Sequence, residues 1–348
     1  MRTLKDFDFQ NKRVLVRCDF QVPLTLKGEI LDDFRIRQTI PTIDHLIKSE
    51  AKIILMSHWK PEGKEKAMSL GPISLHLEGL LSQKINFLND CIGERVRNSI
   101  EKMRLGEISF LENLRFYKEE EENDEKFAKE LAELGDIYIN DAFSVCHRAH
   151  ASIVGIPRYL PSLAGFLLEK EIKILGDLMK KSEKPLVVII GGAKIQTKTK
   201  MIDKFLDNAD FVLIGELIEK EIKEKNLEFS HSEKIIGIAD SVATFDLGPK
   251  TIKIFEDKIA RAKTIFWSGP LGKVEDERFS KGTAEIVKAI VKSGAFAVAG
   301  GGETVEFINK LGLTGKFNHI STGGGAMLHF LAGEKLPGIE ALERASLA

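Results

Sequence analysis

An α/β protein of two Rossmann-like lobes, each built on a parallel sheet, is what this sequence predicts, and three observations predict it. Short β-rich runs alternate with longer stretches of helical period, the pattern of strand–helix–strand units with helices on both sheet faces. The chain, at 348 residues, exceeds one ordinary core at about 150 residues per domain. Near its middle, a single stretch of helical spacing separates two such alternations.

In the first half the strand candidates are RVLVRC (13–18), KIILMS (52–57), EISFLE (107–112) and DIYIND (136–141). Helical segments lie between them, at 37–50 and at 123–135. In the latter, Phe127, Leu131 and Leu134 recur at helical spacing and Gly135 stands where a C-cap belongs. AGFLLEKEIKILGDLMKK (164–181) keeps apolar residues at helical spacing from Phe166 to Met179 and reads as a long helix joining the lobes. The second half resumes with PLVVII (185–190), DFVLIG (210–215), TIFWSG (264–269), AFAVAG (295–300) and FNHIST (317–322). The expected organisation is a first lobe over 1–165, a linking helix and hinge over 166–182, and a second lobe over 183–330. The tail 331–348 is expected to pack back on the first lobe.

Net charge is −1 and no dense Lys/Arg block is present, so no nucleic-acid partner is expected. No apolar run approaches the roughly 20 residues that span a bilayer, and MRTLKDFDFQ lacks the apolar stretch of a signal peptide. No membrane partner and a cytoplasmic location are therefore expected. Cys18, Cys91 and Cys146 stand far apart and read as small core hydrophobes in a reducing compartment. No heptad or long apolar edge argues against a monomer. The acidic run KEEEENDEK (118–126) reads as a solvated loop and helix start.

In an open parallel sheet, ligands bind beyond the carboxyl ends of the strands. The first four strands run into Asp19, Phe20 and Gln21; into His58, Trp59 and Lys60; into Asn113 and Arg115; and into His147, Arg148 and His150. One such cation is usually a surface residue. Four strand ends that all supply His, Arg, Lys or amide groups suit a small anion, because the guanidinium fork matches carboxylate and phosphate oxygens. His147 and His150 lack further Cys or His at metal-ligand spacing.

The later strands end in glycine instead: GGAK (191–194), WSGPLG (267–272), AGGGET (299–304) and STGGGA (321–326). Each follows a strand and most precede a helix, so backbone N–H groups are expected to lie open toward phosphates at helix N-termini. Lys194 and Lys198, four apart, share a helix face. Neither the P-loop pattern nor the protein-kinase motif set occurs.

These motifs, in this order, resemble the phosphoglycerate kinase family. RVLVRCDFQVPL, DDFRIRQTIPTI, ILMSH, LENLRFYKEEEEND, INDAF, CHRAHAS, LPSLAGFLLEKE, IIGGAK, LGPKTI, SGPLG, KGT, GGGET and STGGGA are its landmarks, spanning residue 13 to about 340. The resemblance implies reversible phosphoryl transfer between ATP and the carboxylate of 3-phosphoglycerate, with Mg²⁺ accompanying ATP or ADP. It implies that Asp19, Gln21, Arg35, His58, Lys60, Arg115 and Arg148 hold the glycerate and its phosphate. It places Gly192, Ala193, Lys198, Glu275, Gly301, Gly302, Glu303 and Thr304 at the nucleotide, Glu303 serving Mg²⁺. Arg35 and Lys194 flank the phosphoryl group in flight.

The sequence departs from the family at Gln21 (usually Asn), at SHWKP with Lys60 near an expected Arg, at Glu303 (usually Asp) and at Ser268 (usually Asn). The stretch from Ile214 to Leu247 is much shorter than usual and keeps one glycine of a three-glycine motif. These departures motivate two alternatives to a working kinase: a non-catalytic binding protein, or a kinase for another small phosphorylated acid.

Overall fold

The computed structural model describes the chain except residues 26–28, 61–65, 193–194 and 347–348, and leaves undescribed the side chains of 195–197. The chain divides into two compact units, Met1–Glu171 with Lys335–Ala348, and Ile172–Glu334.

The first unit holds a six-stranded, all-parallel sheet of β1 (Arg13–Arg17), β2 (Lys52–Met56), β3 (Ile85–Phe87), β4 (Ile108–Phe110), β5 (Ile137–Asn140) and β6 (Ser162–Ala164), in the order β3-β4-β2-β1-β5-β6. Its helices are α1 (Phe34–Lys48), α2 (Gly71–Leu81), α3 (Glu94–Glu101), α4 (Lys118–Glu121), α5 (Glu125–Ala132) and the start of α6 (Phe166–Lys180). Val14, Leu15 and Val16 are fully buried, as are Ile53, Ile54 and Leu55, which is why these central strands read as continuous apolar runs rather than alternating ones.

The second unit repeats the architecture with β7 (Leu186–Ile190), β8 (Phe211–Ile214), β9 (Ile235–Ile236), β12 (Thr264–Ser268), β13 (Phe296–Gly300) and β14 (His319–Ser321), in the order β14-β13-β12-β7-β8-β9. A small antiparallel hairpin, β10 (Ser241–Val242) and β11 (Asp246–Leu247), stands apart from it. The helices are α7 (Ile195–Leu206), α8 (Glu216–Glu224), α9 (Pro249–Ile259), α10 (Lys281–Ser293), α11 (Gly302–Lys310) and α12 (Gly325–Leu331). In this sheet the winding reverses between β7 and β12, so their carboxyl ends mark the switch point at which such sheets bind ligands.

The last helix, α13 (Pro337–Ala345), belongs to the first unit. Gly338 N–H donates to the Cys146 carbonyl at 2.9 Å, and Ser346 Oγ accepts from Arg2 N–H at 3.1 Å. All three cysteines are free and buried. No helix among the described residues is long and apolar enough to cross a membrane.

Three features differ from the sequence reading. Strands β3, β6 and β9, of three residues or fewer, carry too little periodicity to be recognised. The predicted helix at 123–135 is α5, which ends at Ala132. Gly135 is no cap; a Cβ there would stand 2.8 Å from Leu15 Cγ, so it is glycine because α5 returns to the sheet over that side chain. The acidic run is not all solvated, for Glu120 is fully buried.

The linking helix is anchored by a carboxylate. Asp141, just past β5, accepts the N–H groups of Leu167 (2.9 Å) and Leu168 (3.2 Å) at the start of α6, while Thr42 Oγ1 accepts Phe166 N–H at 3.0 Å. Gly165 has no side chain because a Cβ would lie 2.2 Å from Asp141 Oδ1. Burial raises the Asp141 pKa to about 6, against the opposing pull of these hydrogen bonds. A carboxyl whose folded pKa lies above its unfolded value binds its proton more tightly when folded. Its contribution is therefore most favourable below pH 4 and declines as pH rises toward 6. Asp141→Asn keeps an acceptor for α6 and removes that decline. We expect its stability relative to the unmodified chain, from denaturant unfolding at several pH values, to improve by up to about 3 kcal/mol between pH 4 and 7.

Candidate functional site

At the carboxyl end of β1, Arg17 is a charged residue with no exposure to water. Its Nε donates to Ser152 Oγ at 2.9 Å, its Nη1 to the Cys18 carbonyl, and its Nη2 to His58 Nδ1 at 3.1 Å. Glu120, equally buried, brings Oε1 to 4.0 Å from Nη2 and accepts from Ser152 N–H (2.8 Å) and Ser152 Oγ (2.5 Å). Tyr138 Oη closes the set on the Ser152 carbonyl at 2.7 Å. A buried charge needs such a partner and such hydrogen bonds.

Beside this base stand Asp19, Gln21 and Arg35, three of the residues expected at the anion. Asp19 Oδ2 accepts from both Arg35 Nη1 and Ser144 Oγ, and Asp19 Oδ1 from Gln21 N–H at 3.1 Å. Burial opposes the Asp19 charge, but Arg35 and these hydrogen bonds outweigh it and hold the carboxyl below the usual carboxylate range. Asp19 thus fixes Arg35. Gln21 Oε1 accepts the Lys60 N–H at 3.3 Å, which ties the ends of β1 and β2 together. The Lys60 residue is exposed. Asn113, one of the polar strand-end groups, serves the scaffold: its Nδ2 donates to the carbonyls of Trp59 and Met68, both at 2.6 Å, and its Oδ1 accepts Arg115 N–H at 3.0 Å.

Arg115 is held by Glu121 at 2.7 Å through Nη1, while its Nε and Nη2 are buried without a hydrogen-bond partner. Arg148 is exposed and its Nε donates to His147 Nε2 at 3.3 Å. Burial lowers the His58 pKa well below the usual value, and Arg17, Arg115 and Arg148 lower it further against the pull of Asp19. Burial and the same three arginines, with His147, bring His150 to about 3. Both rings are therefore neutral at physiological pH among several permanent cations. Such a cluster, with unpartnered guanidinium donors, suits a dianion with a planar or tetrahedral oxygen group.

In the second unit the turn after β7 packs against the turn after β12. Gly191 N–H donates to the Ser268 carbonyl (3.0 Å) and Gly192 N–H to the Pro270 carbonyl (2.8 Å). A Cβ on Gly191 would stand 2.1 Å from the Pro270 oxygen, and one on Gly269 would stand 2.1 Å from the Gly191 oxygen. The Lys198 ammonium donates to the Gly191 carbonyl and lies where side chains on Gly192 or Gly269 would crowd it, at 3.0 and 2.9 Å. The open N–H groups expected at Gly191 and Gly192 are thus already used. These glycines let two turns meet at the switch point and admit a buried lysine.

Open donors occur instead at α11, whose first turn holds Gly302, Glu303 and Thr304. The first N–H groups of a helix have no partner within it. Gly301 (φ +99°) precedes it, Gly302 and Glu303 are exposed, and Glu303 makes no ion pair among the described residues. Thr304 is buried and its Oγ1 accepts Gly269 N–H at 2.7 Å, so it braces the switch-point turn. Glu275 is exposed. Ala193 and Lys194 lie outside the described residues. The shortened stretch consists of α8, a 3₁₀ turn (Ser232–Lys234), β9 and the hairpin; there Leu217 and Phe245 are each 50% exposed.

Sequence reasoning missed Arg17, Glu120, Ser144 and Ser152. Arg17 had one usable signal: a lone arginine inside an otherwise apolar strand must be paired when buried.

The sequence profile of the phosphoglycerate kinase family matches residues 4–220 and 216–334. The phosphoglycerate kinase of Borreliella afzelii (strain PKo) is 41% identical over 392 aligned positions, covering 99% of this chain and all of that protein. That of Dictyoglomus turgidum is 40% identical, covering 98% of each. The crystal structure of phosphoglycerate kinase from Pyrococcus horikoshii OT3 superposes with a TM-score of 0.88 at 33% identity over the whole of both chains. The structure of the Coxiella burnetii enzyme gives 0.80 at 31% identity over 98% of each. The first alignment is longer than this chain's 348 residues, so it must contain positions without a counterpart here. The two profile matches overlap at 216–220, at the start of α8, within the shortened stretch.

Gly269 combines a left-handed backbone (φ +89°) with a contact no side chain tolerates. Gly269→Ala is expected to cost about 2–4 kcal/mol. Gly302→Ala, where nothing lies within 4 Å of the added methyl, should stay within about 0.5 kcal/mol. Thermal or denaturant unfolding of both variants checks the pair.

Proposed function

This chain belongs to the phosphoglycerate kinase family, and from that premise we propose how its two units divide the work. Its reaction is reversible phosphoryl transfer between ATP and the carboxylate of 3-phosphoglycerate, giving 1,3-bisphosphoglycerate and ADP. The strand-end cluster of the first unit takes the phosphoglycerate, through Asp19, Gln21, Arg35, His58, Lys60, Arg115 and Arg148. The switch-point turns and the start of α11 take the nucleotide, through Gly192, Ala193, Lys198, Glu275 and Gly301 to Thr304. The observation that carries this reading is Arg115, which keeps two buried guanidinium donors unpartnered beside two neutral histidines.

The chemistry suits these residues. The attacking carboxylate is ionised at neutral pH, so no general base is required. The protein must align two anions that repel each other and neutralise charge on the phosphoryl group as it moves. Arg35, fixed by Asp19, and Lys194 take that role. Transfer also requires the acceptor and the γ-phosphoryl group at reacting distance, so the two half-sites must meet during turnover, and excluding water there protects the acyl phosphate. Mg²⁺ is commonly held by one or two carboxylates and the substrate phosphates. Glu303, exposed in the first turn of α11 and without an ion pair among the described residues, fits as its protein ligand. Mg²⁺ would supply charge neutralisation on the nucleotide phosphates. We further place the protein in the cytoplasm as a monomer without nucleic-acid or membrane partners, in keeping with three free, buried thiols.

A coupled assay with ATP, Mg²⁺ and 3-phosphoglycerate tests the reading. We expect turnover, and a loss of about 10²-fold or more in kcat for Lys194→Ala. Unchanged turnover in that variant would refute the role of Lys194. Binding of 3-phosphoglycerate with no binding of millimolar Mg-ATP by calorimetry would instead identify a non-catalytic protein.

A further inference from the structure

His58 lies at the centre of the anion-binding cluster, and its chemical form there is decided by the residue behind it. Arginine carries only N–H donors and no acceptor. The 3.1 Å contact between Arg17 Nη2 and His58 Nδ1 therefore makes Nδ1 an acceptor, and the ring's single proton must sit on Nε2. Arg17 cannot turn away, since its other nitrogens are held by Ser152 Oγ and the Cys18 carbonyl, and Ser152 is held by Glu120. Among the described residues His58 Nε2 has no hydrogen-bond partner. We propose that Arg17 is a positioning residue that locks His58 as the neutral Nε2–H tautomer, so that the ring offers a neutral N–H to bound phosphoglycerate. The proposal rests on the reading that this cluster binds phosphoglycerate.

The surrounding charges agree with a neutral ring. Arg17, Arg115 and Arg148 all oppose protonation of His58, Asp19 favours it, and burial outweighs each of them. Asp19 is already committed to Arg35 and Ser144, and Glu120 to Ser152. His150, the nearby second ring, is held neutral by burial and the same arginines. A neutral donor adds a hydrogen bond to the ligand without adding a like charge to a site already crowded with guanidinium groups.

Long-range ¹H–¹⁵N spectra of the ¹⁵N-labelled chain, with His58 signals assigned by their loss in His58→Gln, test this directly. The expected result is one neutral tautomer protonated on Nε2 that does not titrate between pH 5 and 8. In Arg17→Met, Nδ1 loses the donor that holds it as an acceptor, and the single-tautomer pattern should give way to a mixture of the two neutral forms. If leaving Glu120 buried without its partner prevents that variant from folding, Arg17→Met combined with Glu120→Gln serves in its place. The variant's KM for 3-phosphoglycerate, relative to the unmodified chain, should rise about tenfold at pH 8. Arg17→Lys, which keeps an N–H donor and no acceptor, should restore the single tautomer and bring KM back toward that of the unmodified chain. A merely structural role would raise KM without changing the tautomer of His58. A proton on Nδ1, titration of His58 near pH 6.5 in the unmodified chain, or an unchanged single tautomer in Arg17→Met would each overturn the proposal. Turnover measured on the same sample keeps the readings apart: activity with Nδ1 protonated removes only the role of Arg17, whereas the expected tautomer without activity removes the kinase reading.

Discussion

A guanidinium sealed from water beneath the strand ends is the constraint on which the first half-site depends. Burying Arg17 is unfavourable unless its charge and donors are met, and the residues that meet them come from four separate parts of the chain. Cys18 follows β1, His58 follows β2, Glu120 belongs to α4, and Ser152 lies in the short π-helix Ala151–Gly155 between β5 and β6. The pairing therefore gathers the carboxyl ends of the sheet into one surface. Removing either member of the Arg17–Glu120 pair would leave the other charged and buried, a change that typically costs about 3–5 kcal/mol.

The second unit meets a related problem with backbone instead of side chains. Its winding reverses between β7 and β12, and the turns after those strands approach so closely that Gly191 and Gly269 have no room for a Cβ. Lys198 then places its ammonium on the Gly191 carbonyl. The glycines shape the switch point, and backbone donors without a partner among the described residues lie one strand further on, at the start of α11. Thr304 connects the two, since its hydroxyl accepts the Gly269 N–H from within that helix.

Much of this was legible in the sequence, and the reasons for the rest are physical. Long apolar runs such as Leu186–Ile190 announce buried parallel strands, and the amide after β1 with the cations after β2, β4 and β5 raises the expectation of an anion site. Short strands such as β3 and β9 stand in no longer apolar run, whereas β4, equally brief, lies within EISFLE and was recognised. Glu120 was hidden because nothing within an acidic run says which carboxylate turns inward; that depends on Arg17, some hundred residues earlier. The glycines of GGAK were visible, but their purpose was not. A glycine that opens its N–H to a ligand and one that admits a neighbouring turn look alike until the neighbour, Gly269, is placed. The shortened stretch before Leu247 was recognisable by resemblance alone, and it leaves the turns after β7 and β12 in place.

The central claim is that the strand-end cations of the first unit hold the phosphorylated acid. A crystal structure of the chain with 3-phosphoglycerate tests it most directly. The account predicts oxygens of the ligand on Arg115 Nε and Nη2 and on His58 Nε2, with Arg35 and Arg148 within ion-pair distance. A ligand seated elsewhere, for example against Lys12, Lys52 and Arg104 in the cavity they line, with Arg115 still unpartnered, would contradict it.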